Sequence, residues 1–562
     1  MRRFKNIIKV FAALSLLLVF AMPMPAQEKQ KNDQTDYNFE SVKNLDIFHS
    51  LYRELYLYYV DQLEPEKLIK TAIDKMLEGL DPYTVYIPEN QIEDIKLITT
   101  GQYGGIGALI RQDGDYVMIT DPYENSPAAK AGIIAGDKIL EVDGHSMKGK
   151  KSDEVSELLR GEPNTKVKLK MQRMFKDEPI EFQITREEIK LPSVPYYGII
   201  DDGIGYITLS SFTNTAAKEV QEALESMKKS DNIKSLVLDL RSNPGGLLIE
   251  AVKICNLFID AGQEIVSTKG KVSEWDKSYK TTAKPVDKDI KIVVLVNEMS
   301  ASASEIVSGS IQDLDRGVIV GHRTFGKGLV QTTRNLSYNG MLKVTTAKYY
   351  TPSGRCIQAL DYSHRNEDGS VGHVPDSLIS KFYTKNKREV YDGGGITPDV
   401  VVDDSISNTL LTQLALDDMF FKYSVWYRSK HESIGNDPAK FVFSDADYND
   451  FKDFLVREKF DYKSFSEESV EDLIEVAKTE NYYDNISKDI ENLLAKLKQD
   501  KDRDLERYKD EVIKWIVSYI MPRYFYEKGS IMFSINYDEE VKTAIEILKD
   551  EKRYNEILSP KK

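Results

Sequence analysis

Apolar residues follow two spacings along this chain, and the alternation between them sets the expected architecture. Two β-branched runs of strand length, Ser235-Leu-Val-Leu-Asp-Leu240 and Ile290-Lys-Ile-Val-Val-Leu-Val296, each lead through a small-residue turn into helical spacing, at residues 247–258 and 304–314. The alternation runs from about 192 to 404 and predicts an α/β domain. Within it, Asn339-Gly340 predicts a hairpin turn between residues 329–336 and 341–350, and the hydrophilic insert 361–392 reads as a surface loop or lid. Residues 27–36 are polar. From 37 to about 100 the pattern is helical, with Leu45, Phe48, Leu51, Tyr52 and Leu55 on one face and Leu68, Ala72, Met76 and Leu80 on another, until Asp81-Pro82 breaks it. Residues 405–562 are charged and helical, with apolar faces at Ile486, Ile490, Leu493, Leu494 and Leu497 and at Val512, Ile516 and Tyr519. The expected fold class is therefore multidomain α/β: a helical region at 37–100, a β-rich segment with helices at 101–188, an α/β core at 192–404 and a helical domain at 405–562.

The turns after the two apolar runs hold the candidate chemistry. Ser302, in Asn297-Glu-Met-Ser-Ala-Ser-Ala-Ser-Glu305, sits where a strand gives way to a helix. Backbone N–H groups there are unpaired and the helix dipole favours negative charge, so the N–H of Ala303 is a candidate oxyanion donor. The adjacent glycines of Arg241-Ser-Asn-Pro-Gly-Gly246 allow close backbone approach, which makes Gly245 or Gly246 the candidate second donor. A serine needs a base, and none of the six histidines has an obvious triad setting. Lys327, in Phe325-Gly-Lys-Gly-Leu-Val-Gln331, has apolar surroundings of the kind that lower an amine pKa and is the preferred base. Standing alone, either residue reads more simply as a helix cap or a solvated cation. The spacing Gly321-x4-Gly326-Lys327 also approaches a phosphate-binding loop, but Gly328 replaces the required Ser or Thr and a β-branched run follows.

Five ordered segments, Asp239-Leu-Arg-Ser-Asn-Pro-Gly-Gly246, Ser300-Ala-Ser-Ala-Ser-Glu305, Thr324-Phe-Gly-Lys-Gly-Leu-Val-Gln331, Lys348-Tyr-Tyr-Thr-Pro-Ser-Gly354 and Gly394-Gly-Ile-Thr-Pro-Asp399, together resemble the carboxy-terminal processing peptidases, or tail-specific proteases. The resemblance implies a β-β-α protease core with Ser302 as nucleophile, Lys327 as general base and Gln331 as an amide that orients the lysine. Four extended residues separate Lys327 from Gln331 by about 13 Å, so contact requires the loop at Gly328 to fold back.

Residues 101–188 resemble a PDZ domain through Tyr103-Gly-Gly-Ile-Gly-Ala-Leu109, Ser126-Pro-Ala-Ala-Lys-Ala-Gly-Ile133 and Gly136-Asp-Lys-Ile-Leu-Glu-Val-Asp-Gly144. A glycine-rich turn presents successive N–H groups to a chain-terminal carboxylate while the peptide adds as a strand, so Gly104, Gly105, Ile106 and Gly107 are the candidate cradle. A plain tight turn is the alternative.

Composition narrows the rest. Arg2, Arg3, Lys5 and Lys9 precede an apolar run at residues 10–21 that ends near Met24-Pro-Ala26, so 1–26 reads as a secretory signal and the chain as periplasmic or otherwise exported, with retention at a membrane left open. Removing those four cations takes the formal charge from −15 to −19, which argues against nucleic acid as a partner. Cys255 and Cys356 are too few for a disulfide framework, and their pairing is not legible. No spacing suggests metal ligands, and no cofactor is implied. The expected function is an exported serine endopeptidase acting on proteins or peptides with exposed C-termini and processing or degrading envelope proteins. Its helical end regions are candidates for homo-oligomer or adaptor contacts. The competing reading, a noncatalytic peptide-binding scaffold, sits poorly with Ser302, Lys327 and Gln331 occurring together.

Overall fold

A computed structural model describes residues 26–560 apart from 367, 403–407 and 502; the expected signal at 1–26 lies almost wholly outside the described residues. The chain divides into two compact units, Met1–Gly79 and Leu80–Lys562. The first contains the helices Ala26–Tyr58 and Pro65–Glu78. Leu45, Phe48 and Leu51, expected to share a face, are 70%, 46% and 54% exposed among the described residues.

The second unit begins with a departure from the expected helical pattern. Val85–Ile87 is a strand that pairs antiparallel with Met341–Tyr350, because Asp81-Pro82 ends the helical run and Val85 and Ile87 are better strand formers than helix formers. Residues 108–185 then form a sheet in the order Ala108–Asp113, Tyr116–Pro122, Lys138–Val142, Lys166–Gln172, Ile180–Thr185, closed by the helices Pro127–Lys130 and Ser152–Leu159. Strict apolar alternation in Lys166–Gln172 puts Val167, Leu169 and Met171 into its core.

The protease-like core is a six-stranded sheet ordered Tyr196–Asp201, Ile204–Thr208, Ser235–Asp239, Lys291–Val296, Val318–Gly321, Val400–Val401. All neighbours are parallel except the first pair. Ser235–Asp239 is buried at every position, as expected of a parallel strand covered on both faces. The helices Ala216–Asp231, Leu248–Asn256 and Ala303–Asp313 cover one face. The other face is covered by the end of the chain: Val541, Ala544, Ile547 and Leu548 of the helix Glu539–Lys549 pack on Tyr206, Val237, Val293 and Leu295. Part of the expected separate helical domain is thus the second layer of the α/β core. The expected hairpin is present as Leu329–Asn335 and Met341–Tyr350, although the left-handed positions of its turn are Tyr338 and Asn339 rather than Asn339 and Gly340. Cys255 and Cys356 are both free.

Of the remaining helices, Thr409–Leu416, Met419–Lys430, Asp445–Arg457, Lys509–Ile520 and Pro522–Ser534 share an aromatic-rich core, which grips the 108–185 sheet. Phe421 and Val425 pack on Met118 and Ala135, and Arg111 pairs with Asp418. Arg523, 5% exposed, sits 2.8 Å from Asp121 and donates to the Thr120 carbonyl at 2.8 Å. Removing one partner of a largely buried pair leaves the other charge uncompensated, at about 3 kcal/mol. Arg523→Ala should therefore loosen this contact, and hydrogen exchange should accelerate across Ala108–Asp113 and Tyr116–Pro122; unchanged protection there would show that the apolar contacts hold it alone.

Candidate active site

Ser302 stands at the N-cap of a helix, Ala303–Asp313, whose eleven residues are all buried. Its backbone, at φ 57 and ψ −110, is a strained conformation for a residue with a side chain, at a cost of order 1–3 kcal/mol. The surrounding bonds over-determine that turn. Ala301 N–H donates to the Asn243 carbonyl at 3.0 Å and Phe325 N–H to the Ser300 carbonyl at 3.1 Å. Ser304 Oγ donates to the Asn243 carbonyl at 2.9 Å, and the Tyr349 hydroxyl donates to the Ser302 carbonyl at 3.1 Å.

The key partner is Glu305, which is fully buried. Its Oε2 accepts the backbone N–H of Ser302 at 2.8 Å and that of Lys327 at 2.9 Å. Its Oε1 accepts the Thr324 hydroxyl at 2.6 Å and the Gly326 N–H at 2.7 Å. Burial pushes the Glu305 carboxyl up and these four bonds pull it back. One carboxylate thus ties the backbone of the candidate nucleophile to the backbone of the candidate base. Sequence reasoning missed it, although Ser302-Ala-Ser-Glu305 has the spacing of a capping box.

The Lys327 loop is held from the other side as well. Gly328 N–H donates to Gln358 Oε1 at 2.8 Å, Ala359 N–H to the Gly326 carbonyl at 2.9 Å, and Tyr349 N–H to the Gly328 carbonyl at 2.9 Å. Burial and the neighbouring charge of Lys343 bring the Lys327 amine down to about 8, with Glu305 and Asp81 opposing. Its Nζ lies 4.2 Å from the centroid of the Tyr83 ring. No hydrogen bond joins Lys327 Nζ to Ser302 Oγ or to Gln331 among the described residues. Gln331 instead donates to Thr345 Oγ1 at 3.2 Å, and Thr345 donates to Asp81 at 3.2 Å. The structure therefore brings the Ser302 and Lys327 loops together and leaves Gln331 on a neighbouring network. After Lys327 the chain is a strand, not a helix, which removes the phosphate-loop alternative. His322 Nε2 lies 3.8 Å from Glu540 Oε1, on the rim of a cavity of about 650 Å³ lined also by Arg241, Ser242 and Asn297.

The glycine turn abuts the serine. A Cβ on Gly245, where φ is +101, would lie 2.8 Å from the Ala301 carbonyl oxygen and 2.9 Å from Ser302 Cβ. The Gly245 N–H donates to Asn243 Oδ1 at 2.9 Å, so that donor is committed. Among the described residues the N–H groups of Gly246 and Ala303 have no acceptor. Arg241, before this turn, is fixed by Asp239 and by Asp538 and Glu540 at 2.7 and 2.5 Å, which links the turn to the terminal helix. In the other candidate site, Gly105, Ile106 and Gly107 are buried; Gly104 pairs with Glu188, its carbonyl accepts the Gly161 N–H at 3.1 Å, and Arg160 lies 5.5 Å over the Tyr103 ring.

The insert 361–392 contributes a wall to the site rather than a free loop: Tyr362 packs edge-on against Tyr83 at 6.1 Å. Among the described residues no cluster of three or more His, Cys, Asp or Glu is suited to a metal ion.

This geometry coincides with similarity to known proteins. The chain is 36% identical over 375 residues to a carboxy-terminal-processing protease of Bartonella bacilliformis, covering 66% of this chain and 81% of that one. It belongs to the carboxy-terminal-processing protease family. Residues 203–363 match peptidase family S41, residues 118–173 match a PDZ domain, and residues 410–548 match a "Probable PDZ-protease, C-terminal helical domain". A "Probable CtpA-like serine protease" of Staphylococcus aureus is 41% identical over 316 residues, 56% of this chain and 62% of that protein. Among solved structures, a photosystem II D1 C-terminal processing protease is 29% identical, covers 64% of this chain and 88% of that one, and superposes with a TM-score of 0.36. The protein is a serine peptidase with a PDZ domain.

Glu305→Gln replaces one acceptor oxygen by an NH2 group that faces N–H and O–H donors. This processing protease should then lose about 100-fold or more in kcat/KM while still folding, since a displacement of about 1 Å in a catalytic group costs that much. Activity within threefold of wild type would show that Glu305 does not mount the two loops.

Proposed function

We propose that this peptidase cleaves with Ser302 as nucleophile and Lys327 as general base, and that it is exported and processes or degrades envelope proteins whose C-termini its PDZ domain captures. The observation that carries the reading is the shared mount: Glu305 holds the backbone of both residues, and Lys327 is brought to about 8, where an appreciable fraction of the amine is neutral. In the acylation step the neutral amine takes the Ser302 hydroxyl proton as Oγ bonds the scissile carbonyl carbon. The carbonyl electrons move onto oxygen, and the N–H groups of Gly246 and Ala303 are assigned to receive it. Collapse expels the amine product, which takes its proton from the Lys327 ammonium, and water then releases the acyl group by the same route. Gln331 lies next on the strand and is assigned to orient the amine once it leaves its present position.

PDZ domains bind peptide C-termini, and Gly104 to Gly107 is the proposed cradle here. Gly104 and Gly105 end a strand paired with Glu187–Lys190, and Gly105 to Gly107 are buried, so capture requires this segment, with the Tyr103 ring packed on Gly105, to open. Export is proposed from the apolar start of the sequence; among the described residues no helix is long and apolar enough to cross a membrane. The exposed apolar residues Leu45, Phe48 and Leu51 are assigned to contact with a second copy or an adaptor.

Ser302→Ala and Lys327→Ala should each abolish most cleavage of an unstructured protein. Lys327→Arg should not rescue, because a guanidinium stays protonated. Since the working form of the base is neutral, wild-type kcat/KM should rise with pH through about 8 and level off above it; a midpoint near 6.5, lost in His322→Gln, would assign the base to histidine. Amidating the substrate C-terminus should raise KM more than it lowers kcat, and equal cleavage of free and amidated substrates would exclude carboxylate capture.

A further inference from the structure

Tyr83 has no place in the chemistry above, yet its ring faces the candidate base, with Lys327 Nζ 4.2 Å from the centroid, and its backbone is held in place. Its backbone N–H donates to Asp81 Oδ1 at 2.8 Å. The same carboxylate takes the Thr84 N–H at 2.8 Å, the Thr84 hydroxyl at 2.9 Å and the Thr345 hydroxyl at 3.2 Å. Thr345 N–H in turn donates to Thr84 Oγ1 at 3.2 Å, which pins the turn to the strand Met341–Tyr350. Tyr362 packs edge-on against the ring at an interplanar angle of 84°. The ring therefore cannot follow the lysine, whereas the lysine, on a four-carbon stem, can leave the ring.

We propose that Tyr83 is a positioning residue for the base: its ring face seats the Lys327 ammonium away from Ser302, and loss of the proton releases the amine to the serine. The inference rests on Lys327 being the base. An aromatic quadrupole attracts a cation and has no comparable hold on a neutral amine, so the seat favours the protonated form by a factor of about two to thirty. Protonation and position are then one switch, in which the charged lysine is parked and the neutral lysine is free. The other charges bearing on it are Lys343, which disfavours the ammonium, and Glu305 and Asp81, which favour it. Lys343, Glu305 and Asp81 are unchanged when the ring alone is replaced, so the ring's contribution is read by varying that side chain.

The test uses the full chain and reads two quantities against pH: kcat/KM on an unstructured protein and the rate of Ser302 labelling by a fluorophosphonate. Tyr83→Leu keeps apolar bulk but removes the quadrupole. Its acid-limb midpoint should fall by about 0.3 to 1.5 pH units, and labelling at neutral pH should rise about twofold or more. Tyr83→Phe, which keeps the face, should keep the wild-type midpoint. Tyr83→Trp, with a stronger face, should move the midpoint upward and serves if the leucine variant does not fold. Unshifted midpoints in both the leucine and tryptophan variants would overturn the proposal, as would a phenylalanine variant that behaves like leucine, since the hydroxyl would then be the active part. Lys327→Ala separates the two levels. If it is labelled as fast as wild type at every pH, the lysine assignment itself fails; if it is inert and the Tyr83 series is flat, only the seat fails.

Discussion

A single buried carboxylate, Glu305, holds the Ser302 turn and the Lys327 loop together. Glu305 is enclosed on all sides, and such a group is tolerable only when its lone pairs are matched; here four donors from two separate chain segments meet it. Because the donors include the backbone N–H groups of Ser302 and Lys327, satisfying the carboxylate and assembling the site are the same event. The strained Ser302 turn is affordable for the same reason, since neighbouring loops on both sides bond to its backbone.

The parallel sheet supplies the frame on which that carboxylate acts. Adjacent strands Ser235–Asp239 and Lys291–Val296 end side by side, so the glycine turn and the serine turn that follow them are brought into contact without any long-range docking. The terminal helix reinforces the arrangement from the opposite face, where Asp538 and Glu540 hold Arg241 at the root of the glycine turn. The helices that precede it hold the PDZ sheet through Phe421, Val425 and Arg523. The C-terminal region therefore touches both the recognition module and the catalytic core.

Much of this was legible in the residues. The β-branched runs marked two central strands of the core, and the small-residue turns after them marked the positions of Ser302 and of the Gly245-Gly246 pair, which the structure brings together because the two strands are neighbours. Contacts between distant segments were not legible. Glu305 carried a readable capping-box spacing, but nothing local says that its carboxylate also reaches Lys327. Asp81-Pro82 read only as a helix breaker, whereas its turn carries the ring that faces Lys327. The helix Glu539–Lys549 lay within the region read only as charged and helical, and even an apolar stripe does not name the surface it meets, here the second face of the sheet. Gln331 was assigned by family resemblance and is bonded to Thr345 here.

The central claim is that Lys327 is a base because its setting makes the amine neutral within reach of physiological pH. Its titration is directly observable in protein carrying 13C at lysine Cε, with Lys327→Arg identifying the resonance. A midpoint near 8 is expected. A midpoint near the ordinary lysine value of about 10.4 would leave the amine charged at working pH and would contradict the assignment.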